Sequence, residues 1–293
     1  MNRLFDRQQI RRAFGRAAGN YEATAVLQQQ VAERLLEQLE YLQGRTPERI
    51  VDVGAGTGRA TVALRRRYRR ARVVAVDLAL PMLQQARARG SWLRPLHAVC
   101  ADAQALPLSE ASIDVLYSSL CLQWVEDIDA AFAEFRRVLR PEGMLLVSTF
   151  GPGTLRELRG AFAAADRQEH VSRFPSMQAL GDALLRHGFR DPVLDQDTFT
   201  LTYPDVPTLM HELRAIGASN AMRARRRTLT GKDRMRSVFE AYEPLRRDGV
   251  LPSSWEVVYA HAWGPPPGQP RFDAGGVIAS FPADRIPVRR RGG

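Results

Sequence analysis

The segment Val51-Asp52-Val53-Gly54-Ala55-Gly56-Thr57-Gly58 limits what this chain can fold into more than any other. A short apolar run of strand character stops at glycines spaced two apart, and so tight a bend without side chains lets a ligand approach the main chain. The spacing is not the dinucleotide pattern G-x-G-x-x-G, because Arg59 stands where its third glycine would fall. Further along, residues 73–76 read as a buried strand ending in Asp77, whose carboxylate can accept hydrogen bonds from both hydroxyls of a ribose. Capping of the helix that begins near Pro81 is the other reading of that aspartate. Residues 97–100 form a third strand ending in Ala101-Asp102-Ala103, where a carboxylate can take the exocyclic amine of adenine, and residues 113–117 run into Ser118-Ser119-Leu120. Polar groups at successive strand ends converge on one edge of a parallel sheet, which is where open α/β sheets bind ligands. The pattern describes a nucleoside site.

Composition sets the class around that site. With 293 residues, 45% hydrophobic and 25% charged, the chain can bury a full core in one domain carrying an elaborate insertion. No apolar stretch approaches the roughly 18 residues of a membrane span. Arg3, Asp6, Arg7, Arg11 and Arg12 interrupt any secretory signal, and a helical pattern continues through them, so a cytoplasmic location is expected. The two cysteines, Cys100 and Cys121, read as small core residues of a reducing compartment. Five scattered histidines lack metal-site spacing, and no metal is expected.

The formal net charge is +10, with Lys232 the only lysine, which favours an acidic partner. The run Arg65-Arg66-Arg67-Tyr68-Arg69-Arg70 ends the helix that leaves the glycine turn, at the sheet edge opposite the site. It reads as a solvated helix terminus whose cations face the negative end of the dipole. Basic residues are not interleaved with aromatics as single-strand binders require, so no nucleic-acid partner is expected, and no membrane partner.

Periodicity gives the organisation. Ile10, Phe14, Ala17 and Tyr21 recur at helical spacing, as do Leu27, Val31, Leu35, Leu39 and Leu42 after a break at Gly19-Asn20. Strand and helix then alternate from Arg49 to Phe150, the signature of a parallel βαβ sheet. One helix carries the stripe Ile128, Ala131, Phe132, Phe135, Val138 and Leu139, stopped at Pro141-Glu142-Gly143. Helices are predicted over 154–165, 176–187, 207–216 and 232–246, with strands within 193–203 and at 255–260. The expected fold is α/β, a Rossmann-like seven-stranded, mainly parallel sheet with N-terminal helices and a helical insertion, 205–248, forming a lid. A single domain over 1–263 divides into a cap (1–45), a core (46–150) and a substrate region (151–263). The tail 264–293, with Pro265-Pro266-Pro267 and Arg289-Arg290-Arg291, reads as disordered.

The glycine turn looks like motif I of the class I S-adenosylmethionine-dependent methyltransferases, and further signatures narrow the likeness. Phe14, Ala17-Ala18, Tyr21 and Leu27-Gln28; 77–83; Asp102-Ala103 with Leu106-Pro107-Leu108; Leu122-Gln123-Trp124; 136–141; 148–155; and His170-Val171-Ser172-Arg173-Phe174 resemble the malonyl-acyl carrier protein O-methyltransferases of biotin synthesis. The resemblance covers roughly residues 5 to 262. Ala55 stands where that family often has Cys, and Glu142 replaces a glycine after Pro141.

The resemblance implies S-adenosylmethionine as donor, S-adenosylhomocysteine as product, and a seat made of Asp52, Gly54, Gly56, Gly58, Asp77, Leu78, Met82, Asp102, Ala103 and Ser119. It implies transfer of a methyl group to the free carboxylate of a malonyl thioester on acyl carrier protein or coenzyme A. A carboxylate of ordinary pKa, about 4, is already ionised at pH 7, so no general base is needed and none is evident. Catalysis then comes from alignment in a site closed to water. Arg173, with His170 beside it, is the expected grip on the substrate carboxylate, because a planar guanidinium suits that group; loop anchoring and helix capping are the other readings of this pair. Tyr21 is expected to close over the site, and Gln123 and Trp124 to wall off water, or else to be plain core. An acidic carrier protein would be steered by a basic rim, expected at Arg214, Arg223 and Arg225 to Arg227. The chain is expected to act as a monomer. A trans-aconitate or quinone type of methyltransferase, differing after Phe150, is the rival reading.

Overall fold

Seven strands share one sheet in the computed structural model, which describes residues 5–166, 168–218, 220–222 and 231–266, with the backbone alone of 271–273 and 276–278. In chain order they are β1 (Arg49–Val53), β2 (Arg72–Asp77), β3 (His97–Cys100), β4 (Ile113–Ser119), β5 (Leu139–Phe150), β6 (Arg190–Tyr203) and β7 (Leu251–Trp263). Across the sheet the order is β3-β2-β1-β4-β5-β7-β6. The first five run parallel, and β7 inserts antiparallel between β5 and β6. The order reverses beside β1, so the C-terminal ends of β1 and β4 diverge there and leave the crevice in which such sheets bind ligands. Two short strands, Arg271–Asp273 and Gly276–Ile278, pair with each other apart from this sheet.

Helices cover both faces because the parallel strands are apolar on both. Ile50, Val51, Val115, Leu116, Leu145 and Leu146 are each fully buried. On one face α3 (Val26–Glu37) places Leu27, Val31 and Leu35 against the sheet, beside α4 (Arg59–Arg67), α7 (Arg156–Ala165), α9 (Val206–Ala215) and α10 (Lys232–Tyr242). On the other, α6 (Ile128–Val138) and α8 (Met177–Arg186) pack with Val51, Leu116 and Leu145. α6 is capped by Asp127, which accepts from Ala130 N at 3.0 Å. Its stripe ends one residue earlier than periodicity predicts: Leu139 already begins β5, where it pairs with Ile113.

At the start of the chain, α1 (Arg7–Ala17) and the single turn α2 (Tyr21–Thr24) precede α3, with the predicted break between them. α1 lies along α5 (Leu80–Ala88) at the C-terminal edge of the sheet. The signature 150–155 wraps around Glu256 of β7: Gly151 N donates to its carbonyl, Gly153 N to its carboxylate at 2.9 Å, and Thr154 Oγ to its carbonyl. No helix among the described residues is long and apolar enough to cross a membrane.

Candidate active site

Three positive-φ glycines build the floor of the site. The chain leaves β1 through Gly54 (φ 76°), Gly56 (54°) and Gly58 (81°), and Gly54 N and Ala55 N both donate to Val76 O, at 2.8 and 3.0 Å. A Cβ on Gly54 would stand 2.5 Å from Cβ of Cys121, and one on Gly58 2.7 Å from Cβ of Ala86. Side chains are therefore excluded at both positions by close packing as well as by conformation.

Above the turn lies a partly enclosed cavity. Gly54, Gly56, Asp77, Leu78, Met82, Asp102, Ala103, Ser119, Tyr21 and Trp124 line it. Asp77 accepts from Gly56 N at 2.9 Å on one oxygen and from Ala79 N at 2.8 Å on the other. A second lone pair on each oxygen remains for hydroxyl donors. Burial raises its pKa, and these backbone N–H groups hold the rise back. On Asp102 one oxygen accepts from Gln104 N at 3.0 Å, and the other is paired with Arg7 at 2.8 Å. Burial pushes the Cys121 thiol up to about 12, so it lines the cavity as a neutral group.

Five of the expected site residues lie outside this lining. Asp52 is 1% exposed and accepts from Thr61 Oγ at 2.5 Å, and burial pushes its carboxyl up to about 7. Gly58 packs on Ala86, and Gln123 is buried beside Thr149. His170 stacks on Phe162 with ring centroids 4.1 Å apart and bonds Asp166 at 2.9 Å. Arg173 is exposed and pairs with Glu169. Arg223 and Arg225 to Arg227 lie outside the described residues, and Arg214 is exposed on α9.

Periodicity named α1 without revealing that it roofs the cavity. Arg7, Ile10, Arg11 and Phe14 all line it, and Phe14 meets Trp124 edge to face at 5.2 Å. The spacing 7, 10, 11, 14 is the one available signal, since it marks a single helical face. The roof is tied down at its start: Asp6 N donates to Ala221 O at 2.8 Å, and Phe5 bridges Met222.

The lining fits an adenosyl donor: paired acceptors on Asp77 suit a ribose, and the apolar bodies of Leu78 and Met82 suit a base. Among the described residues, no group of three or more His, Cys, Asp or Glu could hold a metal ion. Sheet order, glycine turn and acidic strand ends define a class I S-adenosylmethionine-dependent methyltransferase. Residues 51–147 match the family described as "Methyltransferase domain". The chain is 55% identical over 292 residues to malonyl-[acyl-carrier protein] O-methyltransferase of Xylella fastidiosa (strain M23), covering 99% of each chain. With the enzyme of that name from Methylovorus sp. (strain MP688) it shares 48% over 268 residues, 89% of this chain and 90% of the other. The fold resembles a crystal structure of a Bacillus halodurans methyltransferase, with TM-score 0.55 at 18% identity over 79% of this chain and 98% of that one. This chain belongs to the malonyl-[acyl-carrier protein] O-methyltransferase family.

Proposed function

We propose that this enzyme transfers the methyl group of S-adenosylmethionine to the free carboxylate of malonyl-acyl carrier protein, giving the methyl ester that starts the pimeloyl chain of biotin synthesis. The observation that carries this reading is the 55% identity, end to end, with an enzyme named for that reaction. Bound above the glycine turn, the donor supplies an electrophilic methyl group. Asp77, Leu78, Met82, Asp102 and Ala103 hold its nucleoside, and Gly54, Gly56 and Ser119 flank the remainder. Asp52 and Gly58 act on that seat from behind, by fixing the turn. Tyr21, Phe14 and Trp124 keep water from the reacting groups. The substrate needs only to be held and aligned, because its carboxylate is ionised beforehand.

Arg173 is the proposed grip on that carboxylate, with His170 ordering its segment. In support, the adjacent Phe174 packs on Phe150 at 5.7 Å, at the end of β5 and on the sheet edge that carries Ser119. Residues 151–263 form the substrate region of one domain, over the 46–150 core and beside the 1–45 cap, and the acidic carrier protein meets its basic rim.

The test is ester formation on malonyl-acyl carrier protein, malonyl-coenzyme A and trans-aconitate, read by mass spectrometry. A malonyl thioester is the expected acceptor, and preference for trans-aconitate, or no ester at all, overturns the reading. Arg173→Ala should raise the acceptor KM by about 10-fold or more, the worth of one charge-assisted hydrogen bond; an unchanged KM removes Arg173 from the role.

A further inference from the structure

Tyr21 reaches the cavity from a single turn of helix, its ring packed beside Ala17, Ala18, Ala79 and Met82. α2 is four residues long, and none of them is buried. A single turn of helix has no stability of its own in water. Its neighbour Glu22 supplies the anchorage. One carboxylate oxygen of Glu22 accepts from the Thr57 hydroxyl, inside the glycine turn, and lies 3.0 Å from an Arg89 nitrogen. The other lies 3.8 Å from Arg59, at the start of α4. Arg89 closes the triangle by donating Nε–H to the Thr57 carbonyl at 2.7 Å. The Glu22 carbonyl also accepts from Gln29 Nε2 at 2.8 Å, which joins α2 to α3.

We infer that Glu22 is a positioning residue: it locks the tyrosine-bearing turn onto the glycine turn, so that aromatic wall and donor seat move as one body. The inference rests on Tyr21 closing the donor site, as proposed above. Thr57 is 4% exposed and Glu22 about one-third exposed, so the link joins a buried element to a surface one. Arg59 is shared with Glu33 of α3 at 2.9 Å, and Glu22 has no second carboxylate of its own turn to replace it. Removing it leaves Thr57 and Arg89 bonded to each other, while α2 loses its side-chain link to the glycine turn and keeps the Gln29 bond and the packing of Tyr21.

Three measurements test this. In the ligand-free protein, Glu22→Ala should speed amide exchange at residues 21–25 at least about tenfold while leaving β1 protected. S-Adenosylhomocysteine affinity by calorimetry should fall about tenfold in Glu22→Ala, but less than about twofold when the same change is made in a Tyr21→Ala background. Glu22→Gln, which retains an acceptor for Thr57, should recover part of that affinity, and it stands in should Glu22→Ala fail to fold. Equal losses in both backgrounds, or unchanged exchange, overturn the inference. These readouts involve no acceptor, so a failure to methylate malonyl-acyl carrier protein would count against the proposed reaction and leave the coupling standing.

Discussion

Asp52 is a carboxyl whose ionised form the core disfavours. Its carboxyl, 1% exposed, is pushed up to about 7 from 3.8, chiefly by burial and further by the charge of Asp77, against the Thr61 hydrogen bond. The folded protein therefore holds a proton that the unfolded chain releases between about pH 4 and 7. Stability drawn from this group is full at the acid end and is lost as pH rises through 7. The whole difference is on the order of 4 kcal/mol. Asp52→Asn should flatten the pH dependence of urea unfolding in the ligand-free enzyme between pH 5 and 8, and raise stability at pH 8. Parallel curves for the two proteins would refute this. The sequence displayed Asp52 beside the glycines and Asp77 at the next strand end, but not which faced the ligand. The backbone donors Gly56 and Ala79 hold Asp77 at the cavity, while Thr61 on α4 turns Asp52 inward, and that hydroxyl lies a full helix turn from the motif.

Some of the signature segments are joints between elements. Arg137 at the end of α6 donates to the carbonyls of Leu106 and Leu108 at 2.9 and 2.8 Å, which explains why an arginine and a Leu-Pro-Leu run occur together. The Gly-Pro-Gly-Thr turn after β5 is likewise fitted to Glu256, with side chains missing at Gly151 and Gly153 so that one carboxylate can enter. Glu256→Ala should cost about 1–3 kcal/mol in urea unfolding by leaving Gly153 N without an acceptor, and Glu256→Gln should cost less. Equal stability of all three would show the turn to be self-supporting. Strand and helix identities were legible from pattern, because β1, β2 and β4 are short, mainly apolar runs and α6 a single stripe. Their partners were not. Nothing in the 3.6-residue repeat of α1 states that its face covers a cavity, and nothing near His170 announces that Asp166 and Phe162 occupy its ring.

Net charge belongs to the molecule as a whole. At +10 the surface attracts an acidic macromolecule over distances that salt shortens, from about 10 Å at 0.1 M to 3 Å at 1 M. With malonyl-acyl carrier protein as substrate, kcat/KM should fall about tenfold between 50 and 500 mM NaCl. With malonyl-pantetheine, which lacks the protein, it should change less than about twofold. Matching salt responses would mean that the arginines do not steer the carrier. Architecture was the most legible layer, since alternating strands and helices admit few topologies, whereas the distribution of so many arginines between rim and rear could not be read from their positions in the chain.

The bridge from Phe5 to Met222 joins points separated by most of the polypeptide. The start of the roof is thus tied to a segment that lies beyond the first five strands in the chain. A polypeptide ending between Phe150 and Met222 would carry all five parallel strands and the glycine turn, yet lack the bridge that ties down the first residues of the roof.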